Sequence, residues 1–342
     1  MPGCTRSNSV SALVQSWLER QWYRHGWWPV VLLPLDLFMG LMAWSRYMTY
    51  RTGLRRAWRA PVPVVVVGNI TVGGTGKTPL VLWLVDFLRA QGWRPGIISR
   101  GYGGQAQGVM QVTAASHADD VGDEPLLMAR RARCPLWVGR DRPAAARALL
   151  AAHPECDVLV SDDGLQHYAL ARDVEIVVVD GARMYGNRAM LPVGPLREPL
   201  WRLDRVDAVV INGGGRGQLE QEYGMALQGD RFRRLCHDAE AAGASEFSGK
   251  RLHAIAGIGN PARFFSHLRV LGLDVIEHVF PDHHRFTAAD LQIEQADAIL
   301  MTEKDAVKCF AIAPGNAWYL PVSAEISGGL GKKILEKISK AN

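Results

Sequence analysis

The sequence has 342 residues, 48% hydrophobic and 21% charged, the make-up of a globular protein long enough for two compact units. The net charge of +5 is held by residues 1–60, where Arg6, Arg20, Arg24, Arg46, Arg51, Arg55, Arg56 and Arg59 stand against only Glu19 and Asp36. The rest of the chain is about neutral, which argues against a nucleic-acid protein, and Cys4, Cys134, Cys156, Cys236 and Cys309 form no CxxC pair, which favours reduced thiols over a zinc site.

The basic leader also holds Trp17, Trp22, Trp27, Trp28, Trp44 and Trp58. Between Trp27 and Trp44 lies WWPVVLLPLDLFMGLMAW, apolar enough to enter a bilayer but interrupted by Pro29, Pro34, Asp36 and Gly40. A span needs about 20 clean apolar residues, and no small-residue cleavage site follows the run, as a signal peptide requires. Tryptophan at headgroup depth and arginine against anionic lipid suit a helix lying in the interface. The expectation for 1–60 is a membrane-associated segment on an anionic surface, with a true span or a helix packed on its own domain as the alternatives.

From Pro61 the text alternates β-branched runs with helix-period segments, which predicts a mostly parallel α/β sheet. The predicted strands are VPVVVVG, RPGIISR, CPLWVGR, CDVLVSD, VEIVVVD and VDAVVIN, most of them ending in glycine or a polar residue where such sheets place ligand loops. After NGGGRG the rhythm changes to an extended connector, GMALQGDRFRRL, and a soft stretch, AEAAGASEFSGK. A smaller α/β unit then runs through LHAIAGIGNP, DVIEHVF, DAILMTEKD and AWYLPV to the amphipathic tail LGKKILEKISK. The expected divisions are 1–60, a phosphate-loop domain 61–222, a linker 223–250 and a second domain 251–342.

The stretch Val64 to Val81, VVVVGNITVGGTGKTPLV, reads as buried strand, glycine loop and helix. Bare glycine backbone at a helix N-terminus closes on phosphate oxygens. Residues Thr71, Val72, Gly73, Gly74, Thr75, Gly76, Lys77 and Thr78 are the expected nucleotide contacts, with Lys77 reaching the terminal phosphates and the Thr78 hydroxyl on Mg2+. Thr71 stands where the usual motif has its first glycine. CDVLVSDDGLQH ends a strand in Asp162 and Asp163, the layout of a metal holder, and because neighbours on a strand face opposite ways only one of the two is expected on the metal. Asp180 is the competing carboxylate.

In this order, GNITVGGTGKTP, SRGYGG, GDEP, DDGLQH, LPVGPLREP, FPDHH and TEKDAVK resemble the tetraacyldisaccharide 4'-kinase family of the lipid A pathway, from about Pro61 to Leu320. The loop without its first glycine is part of that family's pattern. The resemblance implies transfer of the ATP γ-phosphate to the 4'-hydroxyl of a tetraacylated disaccharide 1-phosphate at the cytoplasmic face of a bacterial inner membrane. It implies ATP and Mg2+ as cofactors, no nucleic-acid or obligate protein partner, and two α/β domains joined by a two-stranded linker with the active site between them.

By the same resemblance Asp123 is the general base and His283 its partner, with His284 as the ambiguity and Asp282 as an accessory. Read from the residues alone, Asp123 and Glu124 before Pro125 would cap a helix. Arg197 and Glu198 correspond to the pair near γ-phosphate and metal, and Ser99, Arg100, Tyr102 and Glu124 to contacts with the substrate. Gln166 and His167 would order the loop after the aspartates, and Thr302, Glu303, Lys304 and Asp305 would either face the cleft or cap a helix. The rival is a membrane-associated switch ATPase of the partitioning or targeting kind. Such proteins place a second lysine just before the paired glycines, where this chain has Val72.

Overall fold

The computed structural model describes residues 21–23, 28–105, 108–214, 221–237 and 239–341. Arg6, Trp17, Arg20, Arg24 and Trp27 of the leader lie outside them. Each predicted β-branched run forms a strand: β1 Val64–Gly68, β2 Pro95–Ser99, β4 Leu136–Val138, β5 Val158–Asp162, β6 Val174–Asp180 and β7 Ala208–Asn212, with a short β3 at Met110–Val112 and β8 at Glu222–Gln228. The second unit contributes β9 Arg231–Arg234, β10 Ala241–Gly243, β11 Leu252–Ala256, β12 Val275–Val279, β13 Ala298–Thr302 and β14 Ala317–Leu320, and the chain then forms β15 at Ser323–Ile326. The helices that matter here are α1 Leu33–Arg51, α2 Lys77–Ala90, α3 Asp123–Ala132, α4 Arg142–Ala152, α5 Pro261–Val270, α6 Glu303–Cys309 and α7 Leu330–Ala341.

The larger sheet has nine strands in the order β15-β8-β7-β6-β1-β5-β2-β4-β3, parallel except for β3 and β15. Covered on both faces, its central strands can be apolar throughout, and Val64 to Val67 are fully buried. Val65, Val67, Val160 and Ile176 pack under α2, α3 and α7, while Val64, Val66, Leu159 and Ile98 pack under α4. With β1 between β5 and β6, the loops after β1, β2, β5 and β6 gather at one edge, where open parallel sheets bind ligands. The second sheet has six strands in the order β10-β9-β14-β13-β11-β12, around a core that includes Phe232, Phe247, Phe265 and Trp318.

The expected boundaries need correction. The strand Glu222–Gln228 carries the first sheet six residues into the supposed linker 223–250, whereas Arg231–Arg234 and Ala241–Gly243 belong to the second sheet. The chain also returns: β15 pairs antiparallel with β8, and α7 buries Leu330, Ile334 and Ile338 in the first unit's core. Residues 323–341 are therefore part of the first unit, and adjacent strands β8 and β15 carry both crossings. The amphipathic period of the tail shows that one face is buried but not against what.

Helix α1 packs by one face. Asp36 Oδ1 accepts the Met190 amide at 2.5 Å, Met39 and Ala43 touch the core beside Ile70, and Tyr47 meets Tyr168 and Trp201 edge-on at 5.7 and 5.2 Å. Leu37, Phe38, Leu41, Met42 and Trp44 on the other side are 47–63% exposed. Among the described residues no helix is long and apolar enough to cross a membrane.

The α7 packing gives a direct test. Ile334→Ala removes a side chain from a site that α2 and the sheet enclose, and is expected to lower stability by about 2–4 kcal/mol in urea unfolding. A loss near zero would show that α7 does not seal the first unit's core.

Candidate active site

The phosphate loop follows β1 and ends where α2 begins at Lys77. Gly73 and Gly76 have φ of 97° and 96°, the left-handed region that favours glycine. At Gly76 a Cβ would also lie 2.3 Å from Nδ2 of Asn212, which donates to the Thr75 carbonyl at 2.9 Å and fixes the loop from the tip of β7. Lys77, Thr78 and the Val72–Thr75 backbone line a cleft of about 2710 Å³ between the two units. Thr71 does not line it; it is buried and bridges to Leu196.

Asp163 faces this cleft with φ 45°. Lys77 Nζ lies 3.6 Å from its carboxylate and Arg197 donates at 3.1 Å. Burial works against its charge, but Lys77 and then Arg197 outweigh it and hold the carboxyl far below the usual carboxylate range. Arg197 also donates to Asn69 Oδ1 at 3.0 Å, and Asn69 Nδ2 donates to the Gly73 carbonyl, so one side chain ties arginine to glycine loop.

Asp162 turns inward. Its Oδ2 accepts from the Ser99 hydroxyl at 2.9 Å, and its carboxyl is pushed up to about 6 by burial and then by Glu124 and Asp163. The buried Asp162 Oδ1 has no protein partner among the described residues. Arg142, itself buried, donates to the Asp162 carbonyl at 2.8 Å and holds this strand end. Thr78 at the head of α2 and the two aspartates beside β1 are thus the oxygen donors that fit Mg2+, an ion that takes only one or two carboxylates and fills its shell with phosphate and water. The unsatisfied Oδ1 is the feature that a bound ion or its water would answer.

Two expectations fail on geometry. Glu198, although adjacent to Arg197, is 3% exposed and points away from the cleft; both its oxygens accept from the Tyr168 hydroxyl at 2.9 Å, and burial raises its pKa. It is not placed to hold a metal. Ser99 is likewise spent on Asp162 and does not face the cleft, whereas Arg100 and Tyr102 of the same loop do. Asp180, the competing metal candidate, accepts from Arg263 at 2.8 Å and from Asn260, both in the second unit. Gln166 binds the Asn69 carbonyl, and His167 is pushed down to about 3 by burial and by Arg142, which leaves it neutral.

Across the cleft, His283 Nδ1 reaches Asp123 Oδ2 at 3.0 Å, with the Tyr102 ring edge-on at 5.4 Å. His284 instead bonds Asp290, between Phe280 and Phe286. Asp123 opens α3 as the cap reading requires, yet also faces the second unit. Burial pulls its carboxyl up, but the His283 bond and then Lys304 prevail and its pKa falls; the same bond raises His283. Lys304 Nζ lies 2.8 Å from Glu124, 3.4 Å from Asp282 and 4.0 Å from Asp123. Burial opposes its charge, but Glu124, Asp123 and Asp282 together keep it protonated. Both readings of TEKD therefore hold: Thr302 caps α6 on the Asp305 amide at 3.1 Å while Lys304 enters the cleft.

The motifs did not single out Asn212, Arg183, Gly259 or Arg263. Arg183 donates to the Gly259 carbonyl at 2.9 Å, and a Cβ on Gly259 would lie 2.9 Å from the Gly74 amide, so the second unit's loop rests on the phosphate loop. The only sequence signal for it was GIGNP, a glycine turn before a helix opening with proline.

A glycine loop with its lysine, sharing a cleft with a histidine that bonds a buried carboxylate, defines a phosphate-loop protein of the kinase class. The family profile LpxK, Tetraacyldisaccharide-1-P 4'-kinase, matches residues 28–339. Tetraacyldisaccharide 4'-kinases of Azoarcus sp. (strain BH72) and Methylobacillus flagellatus are 57% and 51% identical, over 93% and 95% of this chain and 94% and 96% of theirs. The crystal structure of LpxK from Aquifex aeolicus, described as an "apo" form in complex with ATP, superposes with a TM-score of 0.78 at 28% identity, covering 91% of this chain and 99% of that one. The chain belongs to the tetraacyldisaccharide 4'-kinase family, and the switch-ATPase alternative finds no support.

The Asp123–His283 contact carries a pH test. The raised His283 pKa stabilises the fold below the ordinary imidazole value of about 6.5, and that stability is lost as pH rises through the raised value. The lowered Asp123 pKa works from the acid side, its stability lost as pH falls through it. His283→Gln is expected to cost about 1 kcal/mol near pH 6 and progressively less at higher pH, in thermal unfolding followed across pH. A cost that stays constant with pH would mean that neutral imidazole makes the contact.

Proposed function

We propose that the protein transfers the γ-phosphate of ATP to the 4'-hydroxyl of tetraacyldisaccharide 1-phosphate, giving lipid IVA in lipid A biosynthesis. The observation that carries this reading is the 3.0 Å contact between His283, which lines the same cleft as Lys77, and the buried carboxylate of Asp123. Asp123 takes the proton of the 4'-hydroxyl as that oxygen attacks the γ-phosphorus and the bond to the β,γ-bridging oxygen breaks to release ADP, and the His283 bond orients the carboxylate. Lys77 and Arg197, which share Asp163, turn to the transferring group and spread its charge. Thr78 with Asp162 or Asp163 would hold Mg2+, whose role is to neutralise phosphate charge. Arg100, Tyr102 and Glu124 face the substrate side of the cleft. Arg183 and Lys304 bridge the two units and hold the walls of the cleft together.

A substrate with four acyl chains stays in its bilayer, so the enzyme works at the cytoplasmic face of the bacterial inner membrane, attached peripherally or monotopically. The exposed apolar side of α1, with the arginines of the leader, supports that attachment to an anionic surface. The reading calls for no nucleic acid and no obligate protein partner.

With γ-labelled ATP, Mg2+ and detergent-dispersed disaccharide 1-phosphate, label is expected in the lipid phase. Lys77→Ala and Asp123→Ala should each cut turnover by about 10²-fold or more with the fold intact. Near-normal turnover in Asp123→Ala would remove it as the base. Separately, Phe38→Asp combined with Leu41→Asp should weaken co-sedimentation with anionic vesicles by about 10-fold or more. Retained binding would take the surface role away from α1.

A further inference from the structure

A second pocket, of about 390 Å³, shares no lining residue with the cleft. It lies where the last turn of α1 meets the body. Tyr47, Tyr50 and Tyr168 form its walls, with Tyr168 5.7 and 5.9 Å from the other two rings. At its floor is Arg202, whose side chain is 1% exposed. Arg202 Nη2 bonds Glu175 at 2.5 Å and Nε bonds the Tyr168 hydroxyl at 3.3 Å, but the buried Nη1 has no partner among the described residues. A buried guanidinium N–H left unbonded costs the full desolvation of that group, so an acceptor is called for.

The pocket's other charges are already matched. Arg59 bonds Asp173 at 2.8 Å, Arg172 bonds Glu175 at 2.9 Å, and Lys337 pairs with Asp207. What stays open is Arg202 Nη1 and, at the rim, Arg51, whose described hydrogen bond is to the neutral Tyr47 hydroxyl at 3.0 Å. The last carbonyls of α1, which would repel an anion, are occupied by the amides of Thr52, Gly53 and Arg55. The open Nη1 of Arg202, whose guanidinium lies 5.3 Å from the Tyr47 ring centroid, and the Arg51 guanidinium at the rim suit an acceptor-only group with several oxygens, which is what a phosphate presents.

We propose that this pocket binds the phosphate of an anionic phospholipid headgroup. Its source follows from position: Tyr47, Tyr50 and Arg51 close the same helix whose outer side exposes Leu37, Phe38 and Leu41, and Leu54, Arg55 and Arg56 just beyond are exposed as well. Apolar side chains in the acyl region bring tyrosine and arginine to headgroup depth. The lipid source rests on the membrane reading above; the phosphate chemistry does not.

Calorimetric titration of the purified full chain with monomeric dihexanoyl phosphatidylglycerol, and in parallel with inorganic phosphate, tests the site. Saturable lipid binding is expected in the wild type and in Lys77→Ala, weakened about 10-fold or more in Arg51→Gln and in Arg202→Met. Should Arg202→Met not fold, Arg51→Gln at the exposed rim decides. Inorganic phosphate binding as tightly as the lipid, with the same loss in Arg51→Gln, would keep the anion site and overturn the lipid source. No saturable binding, or binding that Lys77→Ala abolishes and the arginine variants leave intact, overturns the proposal. Arg51→Gln should turn over detergent-dispersed substrate like the wild type, so a failed kinase assay and a failed titration are separate results.

Discussion

The cleft depends on two side chains, His283 and Lys304, crossing from the second unit to carboxylates of the first. Asp123 is 5% exposed, Glu124 is its chain neighbour, and Glu124 and Asp163 both raise the carboxyl of Asp162 close by. Gathering so much negative charge away from water costs several kcal/mol per uncompensated ion, and the N-terminus of α3 offsets about 1 kcal/mol of that. Lys77 of the first unit supplies part of the balance for Glu124, and Lys304 supplies the larger part from across the cleft. His283 and Lys304, which bridge the units, are thus also the groups that lower the Asp123 carboxyl.

The phosphate loop is held by the same logic of contacts from several directions. Asn212 holds Thr75 from β7, Asn69 holds Gly73 and Arg197, and Gly259 of the second unit lies against Gly74. Asp180 then clamps Arg263 and Asn260 at the far end, so the cleft is pinned at both its base side and its loop side. The chain reaches outward from here too. Gln166 binds the Asn69 carbonyl, and Arg46 of α1 binds the Gln166 carbonyl at 3.0 Å. Three side chains therefore connect α1 to the phosphate loop, which makes α1 a part of the first unit and not a detachable anchor.

What the sequence made legible was whatever is local. The β-branched runs gave the strands because a sheet covered on both faces can be apolar throughout, and the loop was readable because strand, glycines, lysine and helix are contiguous. Asp123 was ambiguous for a physical reason: a helix-capping carboxylate and a catalytic one occupy the same place, and its contact with His283 joins residues 160 positions apart. Glu198 was misplaced because it follows Arg197 in an irregular loop, with no period to say that successive side chains diverge. The return of α7 to the first unit was hidden in the same way, since Leu330, Ile334 and Ile338 show a buried face without naming its partner.

The leader shows how one residue can settle two questions. Asp36 interrupts the apolar run between Trp27 and Trp44, and a carboxylate at the centre of a bilayer costs about 2.5–3.5 kcal/mol on insertion scales. In the folded chain that carboxylate faces the body and accepts the Met190 amide. The feature that disfavours a membrane-crossing helix is thus the one that fastens α1 to the first unit. Once Asp36, Met39, Ala43 and Tyr47 are committed inward, helical geometry leaves Leu37, Phe38, Leu41 and Trp44 facing out. The exposed apolar face of α1 is thus fixed on the first unit and tied through Arg46, Gln166 and Asn69 to the phosphate loop.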